Sequence, residues 1–141
     1  MNKVSEHIKV AGASDVVQGF SPIDVNGGAT TSLYISMKYY HLALIICEMG
    51  VGDDALAWQV WQAVDTAGSG TPKVVTGKTA AHTALEDGKT KVIDISTEDL
   101  DVEGGFDCIA IACTASAGAA TLASAVIALC GPRFAQASLP V

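Results

Sequence analysis

Residues 33–47 read Leu33-Tyr-Ile-Ser-Met-Lys-Tyr-Tyr-His-Leu-Ala-Leu-Ile-Ile-Cys47, and this stretch decides the fold class. In its first half Leu33, Ile35 and Met37 alternate with Tyr, Ser and Lys, which is the pattern of a strand with one buried face. From residue 42 to residue 47 the alternation stops and every side chain is apolar. Such a strand is covered on both faces. We therefore expect it to lie inside a sandwich or barrel, or beneath a second subunit.

The composition of the chain favours a protein that hides surface in an assembly. Of the 141 residues, 50% are apolar and only 16% are charged, whereas soluble domains average about 25% charged residues. The formal net charge is −7, with only eight Lys and Arg residues spread along the chain. Phosphate binding requires clustered basic residues. We therefore expect a homo-oligomer and no nucleic-acid partner.

Four further segments have the pattern of strands and are separated by turn formers such as Asn26-Gly27-Gly28. They are residues 55–64, 91–96, 106–114 and 122–130. Several strands joined by turns predict an all-β fold, either an antiparallel β-sandwich or a jelly-roll-like barrel. Residues 79–86 and 115–128 also permit helix, although their β-branched and glycine neighbours weaken that alternative.

The chain is long enough for one domain. Residues 1–20 carry small and polar groups, and we interpret them as an N-terminal arm or an edge strand. Residues 21–141 then form a single β-sandwich domain. The arm is the segment that we expect to contact a partner, although no individual contact residue is assigned.

Alternation in the second strand places Trp58 and Trp61 on opposite faces. One ring therefore fills the core, and the other is exposed, covered by a crossing loop, or buried by a neighbouring subunit. Large aromatic residues are enriched among interface anchors. The predicted self-association residues are Trp58, Trp61, Tyr39, Tyr40 and His41.

The four cysteines all lie in or beside apolar runs, where a free thiol packs as a small hydrophobe. They are Cys47, Cys108, Cys113 and Cys130. The first residues lack the apolar segment of a signal peptide, so we expect synthesis in a reducing cytoplasm. The uncharged run of residues 108–132 could span a bilayer, but its small, polar middle favours two strands joined by a turn. We therefore expect no membrane partner.

No motif in the sequence predicts catalysis. Gly77-Lys78-Thr79 suggests a phosphate-binding loop, but such a loop needs glycine at position 72, where the chain has Pro72. His7, His41 and His82 are far apart, and we interpret His82 as an exposed loop residue. A Cys/His nucleophile pair formed only in the fold remains an alternative. The expectation is no catalytic residue, no metal and no cofactor.

An acidic segment precedes the strand at residues 106–114. Asp99, Asp101 and Glu103 share one side of an extended chain, an arrangement that can bind calcium or magnesium. The spacing does not match an EF-hand. We interpret the segment as a solvated loop, with docking to a basic partner surface and a small metal-binding module or metal-dependent enzyme as the alternatives.

Five strings of sequence, taken in order, carry a family resemblance. They are Val17-Gln-Gly19, Ile35-Ser-Met-Lys-Tyr-Tyr-His41, Val60-Trp-Gln-Ala-Val-Asp-Thr-Ala-Gly68, Asp99-Leu-Asp-Val-Glu-Gly-Gly-Phe-Asp107 and Pro132-Arg-Phe-Ala-Gln136. Together they cover most of residues 15–136, and the chain resembles small virion proteins of tailed bacteriophages of the capsid decoration, or cement, type. The shared strings are structural and include no active-site signature.

The resemblance implies a β-rich protein, trimeric in many members, that sits outside the expanded shell. Its expected partner is the major capsid protein, and its expected location is the virion after synthesis in the host cytoplasm. A tail or head–tail joining protein is the alternative within the structural class. Ring-forming tail proteins should be hexameric, so the oligomer number separates the two hypotheses.

Overall fold

The structure is a computed structural model that describes residues 16–116 and 118–132. Those residues form nine strands and one 3₁₀ turn. The strands are β1 Val16–Asp24, β2 Ala29–Thr31, β3 Ile35–Ser36, β4 Tyr40–Gly52, β5 Leu56–Ala63, β6 Lys73–His82, β7 Thr90–Ser96, β8 Cys108–Ala115 and β9 Thr121–Pro132, and the 3₁₀ turn is Thr97–Asp99.

The strands form two sheets. Sheet I has the order β1-β9-β4-β7, and sheet II has the order β2-β8-β5-β6 with β3 also paired to β8. Every strand pair is antiparallel. The predicted antiparallel β-sandwich is confirmed, and the helical alternatives for residues 79–86 and 115–128 are wrong, since these segments contribute to β6, β8 and β9.

Most of the core lies between the facing surfaces of the two sheets. In β4 the odd-numbered residues from Ala43 to Met49 point inward, and Ile45 pairs with Ile127 of β9 and Ile93 of β7. Paired residues of antiparallel strands share a face, so these rows form one apolar layer. The largest fully buried side chains are Trp58, Met37, Ile45, Met49, Leu56, Ile95, Ile109, Ile111, Ile127, His82, Val60 and Val75.

The covered strand expected at residues 42–47 is buried on one face only within the chain. Ala43, Ile45 and Cys47 are fully buried, but Leu42 and Leu44 are half-buried, and Ile46 is 37% exposed. Within the protomer, therefore, only the inner face of this strand is covered. Cover by a second subunit stays a prediction.

The turn predicted at Asn26-Gly27-Gly28 is present. Asn26 has φ +43° and Gly27 has φ +69°, and the Gly28 N–H donates to the Val25 carbonyl at 2.9 Å. Two successive positive φ angles favour Asn and Gly. This turn directs the chain from sheet I to sheet II.

Two strands extend beyond the sequence expectations. β1 starts at Val16, within the segment interpreted as an arm, and it forms an edge of sheet I through pairing with β9. β6 forms an edge of sheet II at Lys73–His82, beside β7 of sheet I, where the sequence predicts no strand. Residues 1–15 of the predicted arm lie outside the described residues. Among those that are described, no helix is long and apolar enough to cross a membrane.

Candidate functional site

Trp58 belongs to the core and not to the surface. It lies on the inner face of β5 with 1% of its area exposed. Its ring stacks on Phe20 of β1 with centroids 5.9 Å apart and an interplanar angle of 9°. Its indole N–H donates to Nδ1 of His82 at 2.9 Å. Trp58 therefore ties the inner face of sheet II to sheet I through Phe20.

Trp61 lies on the outer face of sheet II, where it is half-buried. Its strand neighbours are Val74 of β6 and Ala110 of β8. A β-bulge separates Gln59 from Trp61 along the pairing with β6. Of the two tryptophans predicted to mediate self-association, Trp61 is the one that offers surface to another molecule.

Tyr39, Tyr40 and His41 lie where the chain enters β4 of sheet I. Tyr39 is 53% exposed, and the Nζ of Lys38 lies 5.8 Å from the centre of its ring. Tyr40 is buried, whereas His41 is exposed. These three residues and Trp61 belong to different sheets, so two separate surfaces carry the self-association prediction.

A third exposed surface emerges from the strand pairing of sheet I. Alternation and pairing place seven apolar side chains together on the side that faces away from sheet II. We call this surface the outer face of sheet I; its apolar members are Leu42, Leu44 and Ile46 of β4, Val92 of β7, and Leu122, Val126 and Ala128 of β9. The exposed side chains of Glu48 and Asp94 lie on the same face. All seven are half-buried or exposed. The sequence indicated this surface only through the unbroken apolar run at 42–47.

The acidic segment forms the connection from β7 to β8. Asp99 accepts hydrogen bonds from the N–H and the Oγ–H of Ser96 at 2.8 and 3.1 Å. It also forms an ion pair with Lys78 at 3.1 Å. Partial burial opposes ionisation, but the bonds from Ser96 and the Lys78 ammonium outweigh it and lower the pKa of Asp99. Asp99 is therefore a structural carboxylate that fixes the end of β7.

Asp101 is held by a different set of partners. It forms an ion pair with Lys73 and accepts the Gly104 N–H at 3.0 Å, and these two bonds lower its pKa. The Nζ of Lys73 also lies 4.3 Å from the centre of the Phe106 ring. Within residues 16–116 and 118–132, no three His, Cys, Asp or Glu side chains are grouped to hold a metal ion. In this structure Asp99, Asp101 and Glu103 do not converge on one point.

A small cleft opens beside this loop. Its volume is about 120 Å³. Its lining has four apolar residues and three polar or charged ones: Met37, Leu100, Val102 and Phe106, with Lys38, Thr97 and Asp107. A cleft of this size has room for one side chain. Both a cation, Lys38, and an anion, Asp107, contribute to its lining.

The thiols match the sequence expectation in their placement. Cys47, Cys108 and Cys113 are buried and Cys130 is half-buried, all as free thiols. Burial raises the pKa of each of the three buried thiols to about 12, and the neighbouring Cys113 adds to the effect at Cys47. These three thiols stay protonated at neutral pH, so they lack the thiolate that a nucleophile requires.

The interpretation of His82 as an exposed loop residue is wrong. His82 is the last residue of β6 and is 1% exposed. The sequence contained an indirect signal, because a buried tryptophan N–H needs an acceptor. That acceptor is 24 positions away from Trp58, and only the β5–β6 pairing brings the two together.

The described chain belongs, by fold, to the antiparallel two-sheet β-sandwiches. No family model matches the sequence, and no curated protein matches it either.

Two solved structures show a weak similarity in fold. A chain from the structure of infectious bursal disease virus Gx strain has a TM-score of 0.39 and 13% identity, and the match covers 86% of this chain and 32% of that chain. A chain from the Gt strain has a TM-score of 0.22 and 11% identity, covering 86% of this chain and 41% of that chain. This chain thus spans about a third of the length of the first. At these TM-scores the similarity carries no argument about function.

Proposed function

We propose that this chain is a non-enzymatic virion protein of a tailed bacteriophage that binds the outside of the capsid and stabilises the shell. In this proposal it acts as a homotrimer, and its partner is the major capsid protein. The sequence resemblance to decoration proteins supports the proposal, and the β-sandwich agrees with the β-rich fold that this resemblance implies. No cofactor, metal, nucleic acid or membrane takes part.

The observation that carries the proposal is the outer face of sheet I. It presents Leu44, Ile46 and Val126 side by side without a charged residue between them. A contiguous exposed apolar surface of this kind marks an interaction site. Self-association through it removes apolar area from water, which contributes about 25 cal/mol per Å². Trp61 and Tyr39 supply the additional aromatic contacts predicted from the sequence.

Trimer formation explains how this chain would stabilise the shell. A closed three-fold oligomer matches the local three-fold positions of an icosahedral shell. Three linked copies bind as one multivalent unit, so the second and third contacts form at a high effective concentration. Separating capsid subunits then requires breaking the contacts of the bound trimer as well. The acidic loop and its cleft supply a negatively charged surface for a basic region of the shell.

The first test is the mass of the purified chain by light scattering. We expect a trimer at three times the protomer mass of 14.4 kDa. The variant Leu44→Ser/Ile46→Ser should dissociate it, because two central apolar contacts are lost. Leu85→Ser is the matched control, since Leu85 is 94% exposed in the loop after β6. Trp61→Ser and Tyr39→Ser test the two other surfaces.

The second test is co-sedimentation with expanded, empty capsids of the phage that encodes the chain. Saturable binding of the wild-type trimer, with a higher temperature of capsid disruption, supports the proposal. A hexamer that does not bind capsids would favour the tail or head–tail joining alternative. A stable monomer that does not bind capsids would contradict both the decoration proposal and the tail alternative. A stoichiometric bound metal ion would instead favour the metal-binding alternative.

A further inference from the structure

His82 makes hydrogen bonds through both ring nitrogens in the interior of the sandwich. Its Nδ1 lies 2.9 Å from the indole nitrogen of Trp58, and its Nε2 lies 3.0 Å from the carbonyl oxygen of Lys89. An indole N–H can only donate, and a carbonyl can only accept. Nδ1 is therefore the acceptor and Nε2 carries the proton. The two partners together fix a single neutral tautomer of the imidazole.

Protonation of this imidazole removes one of the two bonds. The added proton occupies Nδ1, where it faces the N–H of Trp58, so two donors meet in place of a donor and an acceptor. Leaving a buried donor without an acceptor costs about 1–3 kcal/mol. The positive charge also lies in a site that is 1% exposed. The charged ring is therefore stable only if it moves toward water.

The charged groups around the ring do not compensate for this burial. Burial is the largest influence and lowers the pKa of His82, while the Lys89 carbonyl and Glu86 act in the opposite direction and Lys91 acts with burial. Glu86 pairs with Lys91 at 3.0 Å, so the two neighbouring charges offset each other. On the side of β5 the ring faces the uncharged Trp58.

The ring also closes the loop of residues 83–89, which joins β6 to β7. The Lys89 carbonyl accepts both the Nε2–H of His82 and the backbone N–H of Met49 at 3.1 Å. The Gly88 N–H donates to the Met49 carbonyl at 2.9 Å. This end of the loop is thus attached to β4 and, through His82, to β5 and β6.

We propose that His82 is an acid-sensitive latch, whose protonation breaks the contact with Trp58 and releases the loop of residues 83–89 from the sandwich. The folded chain takes up this proton less readily than the unfolded chain does. As the pH falls below the ordinary histidine value of about 6.5, the unfolded and loop-open forms therefore bind the proton first. The stabilisation by His82 is complete above that value and is lost as the pH falls through the lowered pKa of the folded state.

The test compares the wild-type chain with two variants at about pH 7.5 and about pH 5.0, on either side of the ordinary histidine pKa. His82→Gln keeps one acceptor and one donor on its amide but does not titrate. Asp53→Asn removes an exposed titratable side chain between β4 and β5 and is the control. The measurements are urea unfolding, amide hydrogen exchange at Gly88 corrected for its intrinsic pH dependence, and the nitrogen NMR shifts of the histidine rings.

We expect acidification to lower the protection of the Gly88 amide by about tenfold for each unit of difference between the two pKa values of His82. Asp53→Asn should behave as wild type, and His82→Gln should lose most of this pH dependence. If His82→Gln fails to fold, the wild-type NMR titration still decides. A proton on Nδ1 at neutral pH, or a His82 pKa at or above that of an ordinary histidine, would overturn the proposal.

Discussion

The two faces of sheet I carry similar apolar side chains in different surroundings. Ile45 and Ile46 are neighbours on β4, yet Ile45 is fully buried against sheet II and Ile46 is 37% exposed on the outer face. The chain itself buries Ile45, whereas full burial of Ile46 would require contact with another molecule. The difference teaches that the run at residues 42–47 combines a folding surface with an exposed apolar surface, which we propose as the association surface.

β5 of sheet II shows the same division with tryptophan. Trp58 faces inward, and its N–H has a partner in His82, while Trp61 faces outward and is half-buried. One ring is therefore essential to the fold, and the other is available for contact. The predictions below test this division between inner and outer faces.

The largest expected effect is that of Trp58→Ala. It removes a fully buried ring, its stacking on Phe20 and the donor to His82, and should lower the free energy of unfolding by about 3–5 kcal/mol. Trp61→Ala, on the outer face of the same strand, should lower it by less than half as much. Urea unfolding at about pH 7.5, above the ordinary histidine pKa, measures both.

Equal losses for the two tryptophan variants would contradict the division in sheet II. Trp58→Phe serves as the control, because it keeps most of the ring but removes the indole N–H. Its loss should fall between those of the two alanine variants.

The next effect in size separates the adjacent isoleucines of β4. Ile45→Ala leaves a cavity between the sheets and should lower the free energy of unfolding by about 2–5 kcal/mol. Ile46→Ala should lower it by about 1 kcal/mol or less in protein diluted to the monomer, because a half-exposed side chain has less area to lose.

Protein concentration provides the control for this pair. Unfolding linked to subunit dissociation depends on concentration. The Ile46→Ala loss should therefore grow as the chain assembles, whereas the Ile45→Ala loss stays nearly constant. An Ile46→Ala loss that is large and independent of concentration would show that this side chain is buried within the protomer.

The smallest effect concerns the thiols, which distinguish the two faces without changing stability. With an aromatic disulfide reagent at neutral pH, Cys130 should react first, because it is half-buried near the end of β9. Cys47, Cys108 and Cys113 should react only as the chain unfolds, since burial raises the pKa of each to about 12. Cys130→Ser should abolish the early reaction, and fast reaction of any remaining thiol in that variant would contradict the assignment.

The sequence predicted the strands in which period-two alternation or apolar runs are strong. It missed β6, an edge strand with only Val75 and His82 buried, because a strand that faces water along much of its length needs little alternation. Pro72 and Gly77 also favoured a loop interpretation. Edge strands are thus the part of this fold that local pattern specifies least.

The candidate surfaces show a similar limit. Alternation correctly placed Trp58 and Trp61 on opposite faces of β5. It does not tell which face of β4 meets sheet II, because Leu44, Ile45 and Ile46 are all apolar. The partner of Trp58 was not predictable either, since strand register decides which residue meets a side chain 24 positions away.

The order of strands has a consequence for synthesis. β8 and β9 are the last two strands that the structure describes, and each lies in the interior of its sheet. β1 can therefore pair only after β9 is made, where Val16 pairs with Ala128. A nascent chain therefore carries β5 with an unpaired edge until β8 is made, and β4 with an unpaired edge until β9 is made. Pairing between such distant segments is slow, and apolar strands that wait for it tend to aggregate. Rapid expression at high temperature should therefore lower the soluble yield, and slower translation should restore it.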